Sequence, residues 1–458
     1  MSKKSKAAVA VKEVYGQISA FDLACASYLE YAQYVNRFRL IPNAGDGLLP
    51  VYRRTLLAAA KYPKMTLTNS IVSDCCRDWH PHGSQSVEPV VSNMVRHKLL
   101  AGKGNHGARL IRTVKAAAPR YTKTGAIKEV TEVLFKLKEY APHFMNEVNN
   151  NEPMYLITPV PISLVFGHMG LGVGVTTRIP AFTYESLVKA HRTDNPAHLR
   201  CQYGYHLEGG EIPDLWHHGT GRVRCSMNIA YEWSDDDGCY VSIITGSGEL
   251  FSPKLGLLDE HIAHDRVFIR DESGKEIRIV IGRTKGTRAI SDDRIYEIAK
   301  QACTFDRKYD MRAVVGKTVK RIGIRDWLNL TMNLYATKYK EWQDDRTSDL
   351  KNKIFQQVIS QDVGNFLSQD FDNDQILEYI TKNIAGGDLD SKFKGVLAQF
   401  KREPTIDDIK SVCQKSMSNL RKNDYEKNCH KLLAELDSVL SATSERAIDE
   451  AASVIKMI

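Results

Sequence analysis

The chain has 458 residues, of which 43% are hydrophobic and 26% charged, and its formal net charge is +8. This composition excludes an intrinsically disordered polypeptide and suffices for about two to four packed domains. No apolar run approaches the roughly 18–20 residues of a membrane span, and the start, MSKKSKAAVAVKE, lacks a signal-peptide apolar segment. The nine cysteines include no C-x-x-C pair, which argues against a disulfide framework or a zinc ribbon. We therefore expect a cytoplasmic protein with reduced cysteines and no membrane segment.

The first third of the sequence predicts helices separated by glycine-rich loops. Residues 18–38 repeat apolar and aromatic side chains at helical spacing, and the loop IPNAGDGLLP then leads into a second helix. Two short helices follow, joined by the turn HPHGS, in which Ser84 is expected to cap the second of them. This is a helix-turn-helix pattern. The loop GKGNHG and the segment KAAAPRYTKTG give it the edge loop of a winged helix.

A basic stretch lies between Glu88 and Glu129, where the sequence contains no acidic residue. The Lys and Arg residues in this interval are Arg96, Lys98, Lys103, Arg109, Arg112, Lys115, Arg120, Lys123 and Lys128. Charge runs are usually solvated faces, but this one contains the loops described above. We interpret it as a surface that follows a phosphate backbone.

From about residue 156 the sequence becomes rich in β-branched residues and glycine, which predicts strands and tight turns. GRVRCSMNIAYEW and CYVSIITGSG flank the turn SDDDG and predict a hairpin, and VFIRDESGKEIRIVIGR predicts another. Beyond residue 325 two segments repeat large residues at alternating spacings of four and three: Leu328, Met332, Tyr335, Tyr339 and Trp342, then Tyr425, Cys429, Leu432, Leu436 and Val439. These segments predict an antiparallel coiled coil with a small helical cap at about 350–410.

Together the patterns predict an α+β multidomain protein. The expected parts are an N-terminal arm and helix at 1–30, a winged-helix domain at 31–155, a mixed α/β domain at 156–325, a coiled coil with a small helical cap at 326–445, and a C-terminal tail at 446–458.

Six motifs carry a resemblance to a known family: IPNAGDGLLPVYRR, HPHG, GKGNHG, AAAPRYT, GHMGLGVGVTTRIP and RDESGKEIRIVI. In order and spacing they resemble the breakage-reunion subunit of type IIA DNA topoisomerases. Each motif alone is common, but six in register across some 250 residues are specific. The resemblance extends over the whole chain, is strongest over residues 36–181, and implies a subunit that cuts and rejoins duplex DNA. It also implies that the α/β domain is a tower and that the cap is a dimerisation interface.

The resemblance places the catalytic nucleophile at Tyr121, one of 20 tyrosines in the chain. A phenol is a weak nucleophile unless a cation favours the phenolate and neutralises the charge of the transition state. Arg120 is adjacent for that purpose. The family implies that Tyr121 attacks a DNA phosphodiester and forms a reversible 5′-phosphotyrosyl link.

The resemblance also implies a set of DNA-binding residues: Arg39, Arg53, Arg54, His80, His82, Lys103 and Leu171. The arginines match residues that bind backbone phosphates, and the two histidines match the border of the active site, although a Pro-Gly turn is an equally good structural interpretation of HPHG. Leu171 matches an apolar wedge that enters between base pairs and bends DNA; a core leucine is the alternative. Leu49 stands where the family commonly has a lysine, so one phosphate contact is expected to be missing.

Neither an ATP-binding glycine motif nor the metal-binding carboxylate signatures of the family occur in the sequence. The resemblance therefore implies that Mg²⁺ and ATP are bound by a separate ATPase and metal-binding topoisomerase subunit, and that this chain forms a homodimer on double-stranded DNA. Because the sequence ends at Ile458, we expect no DNA-wrapping domain, as in the medium subunit of phage type II topoisomerases. The alternative function is a non-catalytic winged-helix DNA-binding or scaffold protein.

Two residues after HPHG depart from the bacterial pattern of a serine followed, four positions later, by an acidic residue. In bacterial enzymes quinolone drugs engage that pair through a hydrated magnesium ion. This chain has Gln85 and Pro89 there, and neither side chain suits a hydrated cation. Because proline is favoured in a first turn, the helix is expected to begin near Gln85 to Glu88.

Overall fold

The computed structural model describes residues 19–107, 115–202, 205–246, 258–274, 277–287, 289–366, 375, 378 and 425–457. Arg109 and Arg112 of the basic stretch, and most of the predicted cap at 350–410, lie outside these residues. The described part contains many helices and several sheets, so the predicted mixture of α and β structure is confirmed. No helix within it is long and apolar enough to cross a lipid bilayer.

Four helices dominate the N-terminal part: α1 (Ala20–Val35), α2 (Pro50–Ala59), α3 (Thr68–Asp78) and α4 (Ser84–Arg96). They match the predicted helices and the predicted turn between the last two. A π-helical turn, Asn36–Leu40, extends α1. Pro50 occupies the first turn of α2, where its missing N–H has no helical partner to lose.

The start of α4 differs from the prediction. Gly83, with φ at 84°, precedes the helix, so Ser84 is its first residue and not its cap. Pro89 lies inside the helix, which shows that the expected confinement of proline to the first turn is wrong. The cost is the hydrogen bond that Pro89 cannot donate to the carbonyl of Gln85. Packing of Val87, Val90, Val91 and Met94 in the core offsets it.

A small antiparallel sheet packs beside these helices, with strand order β1 (Thr66–Leu67), β3 (Lys123–Ala126), β2 (Leu100–Lys103). Between β2 and β3 the chain makes a 3₁₀ turn at Pro119–Tyr121. After β3 follow α5 (Lys128–Phe135), a 3₁₀ turn (Lys138–Tyr140), and a hairpin of β4 (His143–Met145) and β5 (Asn151–Pro153).

The largest sheet has the strand order β11-β12-β10-β9-β13-β7-β6, with β8 beside β9. Its strands are β6 (His168–Leu171), β7 (Thr176–Ile179), β8 (Tyr205–Gly210), β9 (Thr220–Ser234), β10 (Cys239–Gly246), β11 (Val267–Asp271), β12 (Ile277–Arg283) and β13 (Thr304–Asp310). Both predicted hairpins, β9–β10 and β11–β12, are confirmed.

Helices and one further hairpin accompany this sheet. They are α6 (Ile162–Phe166), α7 (Tyr184–Thr193), a 3₁₀ turn (Pro196–His198), α8 (Ile212–His218), α9 (Asp259–Ala263), α10 (Asp292–Ala302), β14 (Arg312–Val315) and β15 (Thr318–Arg321). Helix α6 falls in a segment expected to form strands. Its isoleucine, leucine and valine side chains are buried, and β-branched residues in a short apolar run do not separate helix from strand.

The C-terminal part contains the long helix α11 (Ile324–Phe366), then α12 (Tyr425–Ser441) and α13 (Ser444–Met457). Leu350 and Ile354 pack on Leu436 and Val439, and the amide of Gln343 donates to carbonyls near the end of α12, so α11 and α12 run antiparallel.

The first half of the predicted coiled-coil seam packs elsewhere. Leu328 and Met332 lie in the main core, whereas Tyr335 and Tyr339 pack with Ala447 of α13. Large residues at alternating spacings of four and three positions indicate a buried helix face, but they do not identify the element on which that face packs. Within the expected C-terminal tail, residues 446–457 are helical, and Ala447 packs with Leu137 and Ile157 of the body.

Two glycines with similar backbone angles allow a matched test of the packing at α8. Gly219 has φ at 72°, and a Cβ atom there would lie 2.1 Å from the carbonyl oxygen of Ile322. Gly316 has φ at 61° and open space around it. Alanine at either position adds left-handed strain of about 1–2 kcal/mol, and at Gly219 overlap adds about 1–3 kcal/mol more. We expect Gly219→Ala to lower Tm clearly more than Gly316→Ala in calorimetry; equal shifts would contradict this packing.

Candidate active site

Tyr121 is presented at the surface by a short turn. It ends the 3₁₀ turn that immediately precedes β3, and its side chain is 70% exposed, which is unusual for a tyrosine. The guanidinium carbon of Arg120 lies 4.7 Å from the centre of the Tyr121 ring, and Arg120 is itself exposed. The predicted nucleophile and its predicted cationic partner therefore lie together and are accessible.

Three buried threonines anchor the strand behind Tyr121. The hydroxyl of Thr122 donates to the Thr68 hydroxyl at 2.8 Å, and the hydroxyls of Thr68 and Thr124 are also 2.8 Å apart. The Thr68 amide donates to the carbonyl of Thr122 at 3.0 Å. These contacts fix the start of β3 to the start of α3, so an exposed side chain stands on a rigid base.

The surface around Tyr121 is cationic. Its exposed cations are Lys103, Lys115, Arg120 and Lys123, and none of them forms an ion pair with another described residue. Lys103 and Lys123 stand directly opposite each other across β2 and β3. Like charges in that position are destabilising unless an anion lies between them. The arrangement suits a phosphate.

The same side chains do not fit a magnesium site. Mg²⁺ prefers carboxylate and water oxygens, and the sequence supplies no Asp or Glu between Glu88 and Glu129. The side chains described around Tyr121 are lysine, arginine and threonine. Among the described residues, no group of three or more His, Cys, Asp or Glu side chains could hold a metal ion.

A second polar cluster is buried at the other end of α3. Nε of Arg54 lies 2.9 Å from both carboxylate oxygens of Glu152, and Nη1 of Arg54 lies 3.0 Å from Nδ1 of His80. An arginine can only donate, so Nδ1 of His80 accepts and the ring proton resides on Nε2. Burial lowers the pKa of His80 to about 4, and the adjacent Arg54 charge adds to the shift. His80 is neutral at physiological pH.

The cluster continues to the surface through His82. The rings of His80 and His82 meet edge to face at 4.6 Å. Nε2 of His82 lies 3.4 Å from Glu147, and Glu147 accepts a 2.8 Å hydrogen bond from the hydroxyl of Tyr34. The guanidinium of Arg39 lies over the Tyr34 ring at 5.6 Å and is exposed. Arg39 and His82 are the members of this cluster that DNA could reach directly.

Arg53 lies in a buried ion pair that stabilises the fold. It is only 2% exposed, and its Nε and Nη2 donate to the carboxylate of Asp46 at 2.8 and 3.2 Å. Asp46 also accepts from the backbone amides of Leu48 and Leu156. Direct phosphate contacts by Arg53, Arg54 and His80 would require these buried side chains to move, and those contacts stay predictions.

Tyr121 and the histidines are not neighbours within one chain. The start of α3 contacts the strand that follows Tyr121, and its end precedes His80. Eleven residues of helix separate these points, which corresponds to about 16 Å. The structure therefore separates the predicted nucleophile from the predicted histidines, in one group around Tyr121 and another around Arg54.

Leu171 projects from a hairpin that α1 anchors. It ends β6 with its side chain 69% exposed. The Asn36 side chain donates to the carbonyl of Val173 at 3.0 Å and accepts from the amide of Val173 at 3.2 Å. A Cβ atom at Gly172 would lie only 2.2 Å from Oδ1 of Asn36. Only glycine permits this close approach. An exposed leucine on a fixed tip excludes the core-leucine alternative and leaves the wedge role as a prediction.

Sequence reasoning missed the residues that support the site: Asp46, Glu147, Glu152, Tyr34, Asn36 and the three threonines. One signal was available for the carboxylates. A pair of arginines entering an apolar helix needs buried partners, since an unpaired buried charge is costly. That rule predicts that partners exist without identifying them.

Comparison with known proteins places the chain in a family. A sequence model for the A subunit of DNA gyrase/topoisomerase IV matches residues 39–456, and the chain belongs to this family. Among its relatives is the DNA gyrase A subunit of Helicobacter pylori strain ATCC 700392 / 26695, 27% identical over 339 residues, which are 67% of this chain and 40% of that protein. The DNA gyrase A subunit of Escherichia coli K12 is 34% identical over 293 residues, 56% of this chain and 33% of that protein. The aligned regions thus span well under half of these relatives.

The buried His80 makes stability depend on pH in a defined direction. Its folded pKa of about 4 lies below the value of about 6.5 in an unfolded chain, so the unfolded chain takes up the proton first as pH falls. This lowers the free energy of unfolding between pH 6.5 and 4 by up to about 1.4 kcal/mol per pH unit. We expect Tm to fall less steeply over this range in His80→Gln, which keeps an acceptor for Arg54. Identical slopes in the two proteins would show that His80 is not a neutral buried group.

Proposed function

We propose that this chain is the DNA-cleaving and religating subunit of an ATP-dependent type II DNA topoisomerase, and that Tyr121 is its nucleophile. The observation that carries the proposal is an exposed tyrosine beside Arg120, in a turn anchored by buried threonines and near cations that have no carboxylate partner among the described residues. Membership of the family supports the proposal.

In the proposed reaction the Tyr121 oxygen attacks a DNA phosphorus, and the phenol proton passes to water. The bond between the phosphorus and the 3′ oxygen of the neighbouring nucleotide breaks, and that oxygen takes up a proton from water and leaves as the 3′ hydroxyl. Arg120 and the facing Lys103 and Lys123 stabilise the charge on the phosphate oxygens as it develops. The 5′-phosphotyrosyl ester keeps the energy of the phosphodiester, so the 3′ hydroxyl can reverse the step and reseal the strand.

The DNA-binding surface in this proposal combines both groups. We interpret α2–α4 and the three-stranded sheet as a winged helix, the large sheet as the tower, and the α11–α12 pair as a coiled coil. Arg39 and His82 would contact phosphates, and Leu171 would enter between base pairs and bend the duplex. In a homodimer the residues around Arg54 of one protomer could lie beside Tyr121 of the other protomer. This would explain why the two groups are far apart within a single chain.

The remaining requirements fall to a partner. The residues around Tyr121 do not fit Mg²⁺, so we propose that a second, ATPase and metal-binding topoisomerase subunit supplies Mg²⁺ and ATP. Two copies of this chain and two of that partner would cut both strands of one duplex in the cytoplasm. We propose that the domain organisation of this chain is that of the medium subunit of phage type II topoisomerases.

The alternative is a winged-helix DNA-binding or scaffold protein without catalysis. The exposed Leu171 and the cationic surface serve that function equally well. Only covalent chemistry at Tyr121 separates the two.

The decisive variant is Tyr121→Phe, assayed with the partner subunit, Mg²⁺ and labelled duplex DNA. Tyr121→Phe should form no covalent adduct and keep the Kd for duplex DNA, whereas Arg120→Ala should slow adduct formation by about 10²-fold through lost charge stabilisation. Tyr240→Phe, at another exposed tyrosine on β10, is the matched control and should react as the wild type. An adduct that persists in Tyr121→Phe, or a wild type that binds DNA and forms none, would favour the alternative.

Drug response tests the environment of α4. Gln85 and Pro89 are both exposed on this helix, and neither offers a carboxylate or hydroxyl to hydrated magnesium. We expect weak quinolone-stimulated cleavage by the reconstituted enzyme and stronger stimulation for Gln85→Ser, Pro89→Asp. Pro89→Ala repairs the helix without adding an acceptor and should stay insensitive. Strong stimulation of the unmodified enzyme would refute the argument.

A further inference from the structure

We propose that Arg96 is a positioning residue for Tyr121; this inference rests on the proposed function of that tyrosine. Arg96 is the last residue of α4. Its Nη1 donates to the carbonyl of His106 at 3.0 Å, and its Nη2 donates to Oδ1 of Asn93 at 3.1 Å. Asn93 in turn donates to the hydroxyl of Tyr52 on α2 at 2.7 Å. The guanidinium is therefore fixed by two helices and holds one backbone carbonyl of the loop beyond β2.

That carbonyl lies beside the point at which the segment leading to Tyr121 is attached to the chain beyond β2. Asn105, next to His106, accepts a 2.9 Å hydrogen bond from the amide of Ala117, which closes the loop. The Asn105 side chain accepts from the amide of Gly107 at 2.8 Å and fixes the turn. Only three residues separate Ala117 from Tyr121, whose own amide donates to the carbonyl of Ala118 at 2.9 Å. A shift at His106 is thus passed on to the turn of Tyr121.

The imidazole of His106 is a second attachment of the same loop. It is buried, and the position of a Cβ on Gly102 would be only 3.0 Å from its ring. The ring therefore packs directly on the backbone of β2. Arg96 holds the carbonyl of this residue while the strand packs on its side chain, so His106 is fixed both to α4 and to β2.

The acceptors of Arg96 are neutral, which distinguishes it from the other buried arginines. Arg53 and Arg54 are each neutralised by a carboxylate. Arg96 is partly buried, burial lowers the pKa of its guanidinium, and within the described residues its partners are a carbonyl and an amide. A carboxylate at this point would repel the phosphate that Tyr121 must meet. Neutral acceptors fix the guanidinium without introducing that repulsion.

The test compares Arg96→Met with Arg96→Lys in the enzyme reconstituted with its partner subunit. Misplacing a reacting group by about 1 Å can cost about 10²-fold in rate, so Arg96→Met should form the Tyr121 adduct about 10²-fold more slowly. Its Kd for duplex DNA should change little because the guanidinium is partly buried and its donors are turned to His106 and Asn93, unlike the exposed cations of the basic stretch. Arg96→Lys keeps one donor and the charge and should recover part of the rate. Arg278→Met, at an exposed arginine paired with Glu272 on the large sheet, is the matched control and should match the wild type.

Amide hydrogen exchange provides a readout that needs no catalysis. In Arg96→Met the amide of Ala117 should lose protection, while the amide of Ala126 in β3, which donates to the carbonyl of Tyr62, should keep it. Unchanged protection at Ala117 overturns the proposal whether or not the wild type cleaves DNA. Loss of protection at both amides also overturns it, because the residue would then support the whole fold. An unchanged adduct rate, where the wild type reacts, overturns the positioning role and leaves the proposed function standing.

Discussion

The buried ion pair between Arg54 and Glu152 is the contact on which the arrangement of this site depends. It joins residues 98 positions apart, and both side chains are almost completely withdrawn from solvent. Removing one partner of such a pair leaves an uncompensated buried charge and typically costs about 3–5 kcal/mol. The neighbouring pair of Arg53 and Asp46 fixes the loop before α2 in the same way. These two pairs hold α2 against the segment around residues 146–156. The hydrogen bond from Arg54 fixes both the position of the His80 ring and its tautomer.

The chain thus separates cations into two kinds. The arginines inside α2 are neutralised by carboxylates and serve the fold, whereas the cations around Tyr121 have no carboxylate partner in the part of the chain that the structure describes and can bind an anion. The absence of acidic residues between Glu88 and Glu129 is the sequence counterpart of that separation. It also explains why the same surface suits a phosphate and does not suit a magnesium ion. In the proposed function the metal must arrive with another polypeptide.

The predictions from sequence succeeded where the signal was local. Proline and glycine in HPHG locate the turn between α3 and α4, and the Asp-Gly corner locates the β9–β10 hairpin. They failed where packing decides. Pro89 lies inside a helix because the buried side of α4 is worth more than one hydrogen bond, and Leu328 and Met332 face the body because their spacing does not encode a partner.

The candidate site was predictable in part. The exposure of Tyr121 and Leu171 and the proximity of Arg120 agree with what the motifs imply. Sequence did not predict that Arg53, Arg54 and His80 are buried, or that the length of one helix separates them from Tyr121. Both features depend on contacts with Asp46 and Glu152 that no local pattern reveals. A glutamate in the run NNNEP has no feature that marks it as an interior partner of an arginine nearly a hundred positions away.

The proposed function requires that Tyr121 become covalently joined to DNA. The most direct measurement is to trap the cleaved complex of the reconstituted enzyme with Mg²⁺, digest protein and DNA, and locate the nucleotide-bearing residue by tandem mass spectrometry. We expect the modification on Tyr121 and on none of the other tyrosines among the 20 in the chain. A nucleotide found on any other residue, or cleaved DNA with no residue modified, would contradict it.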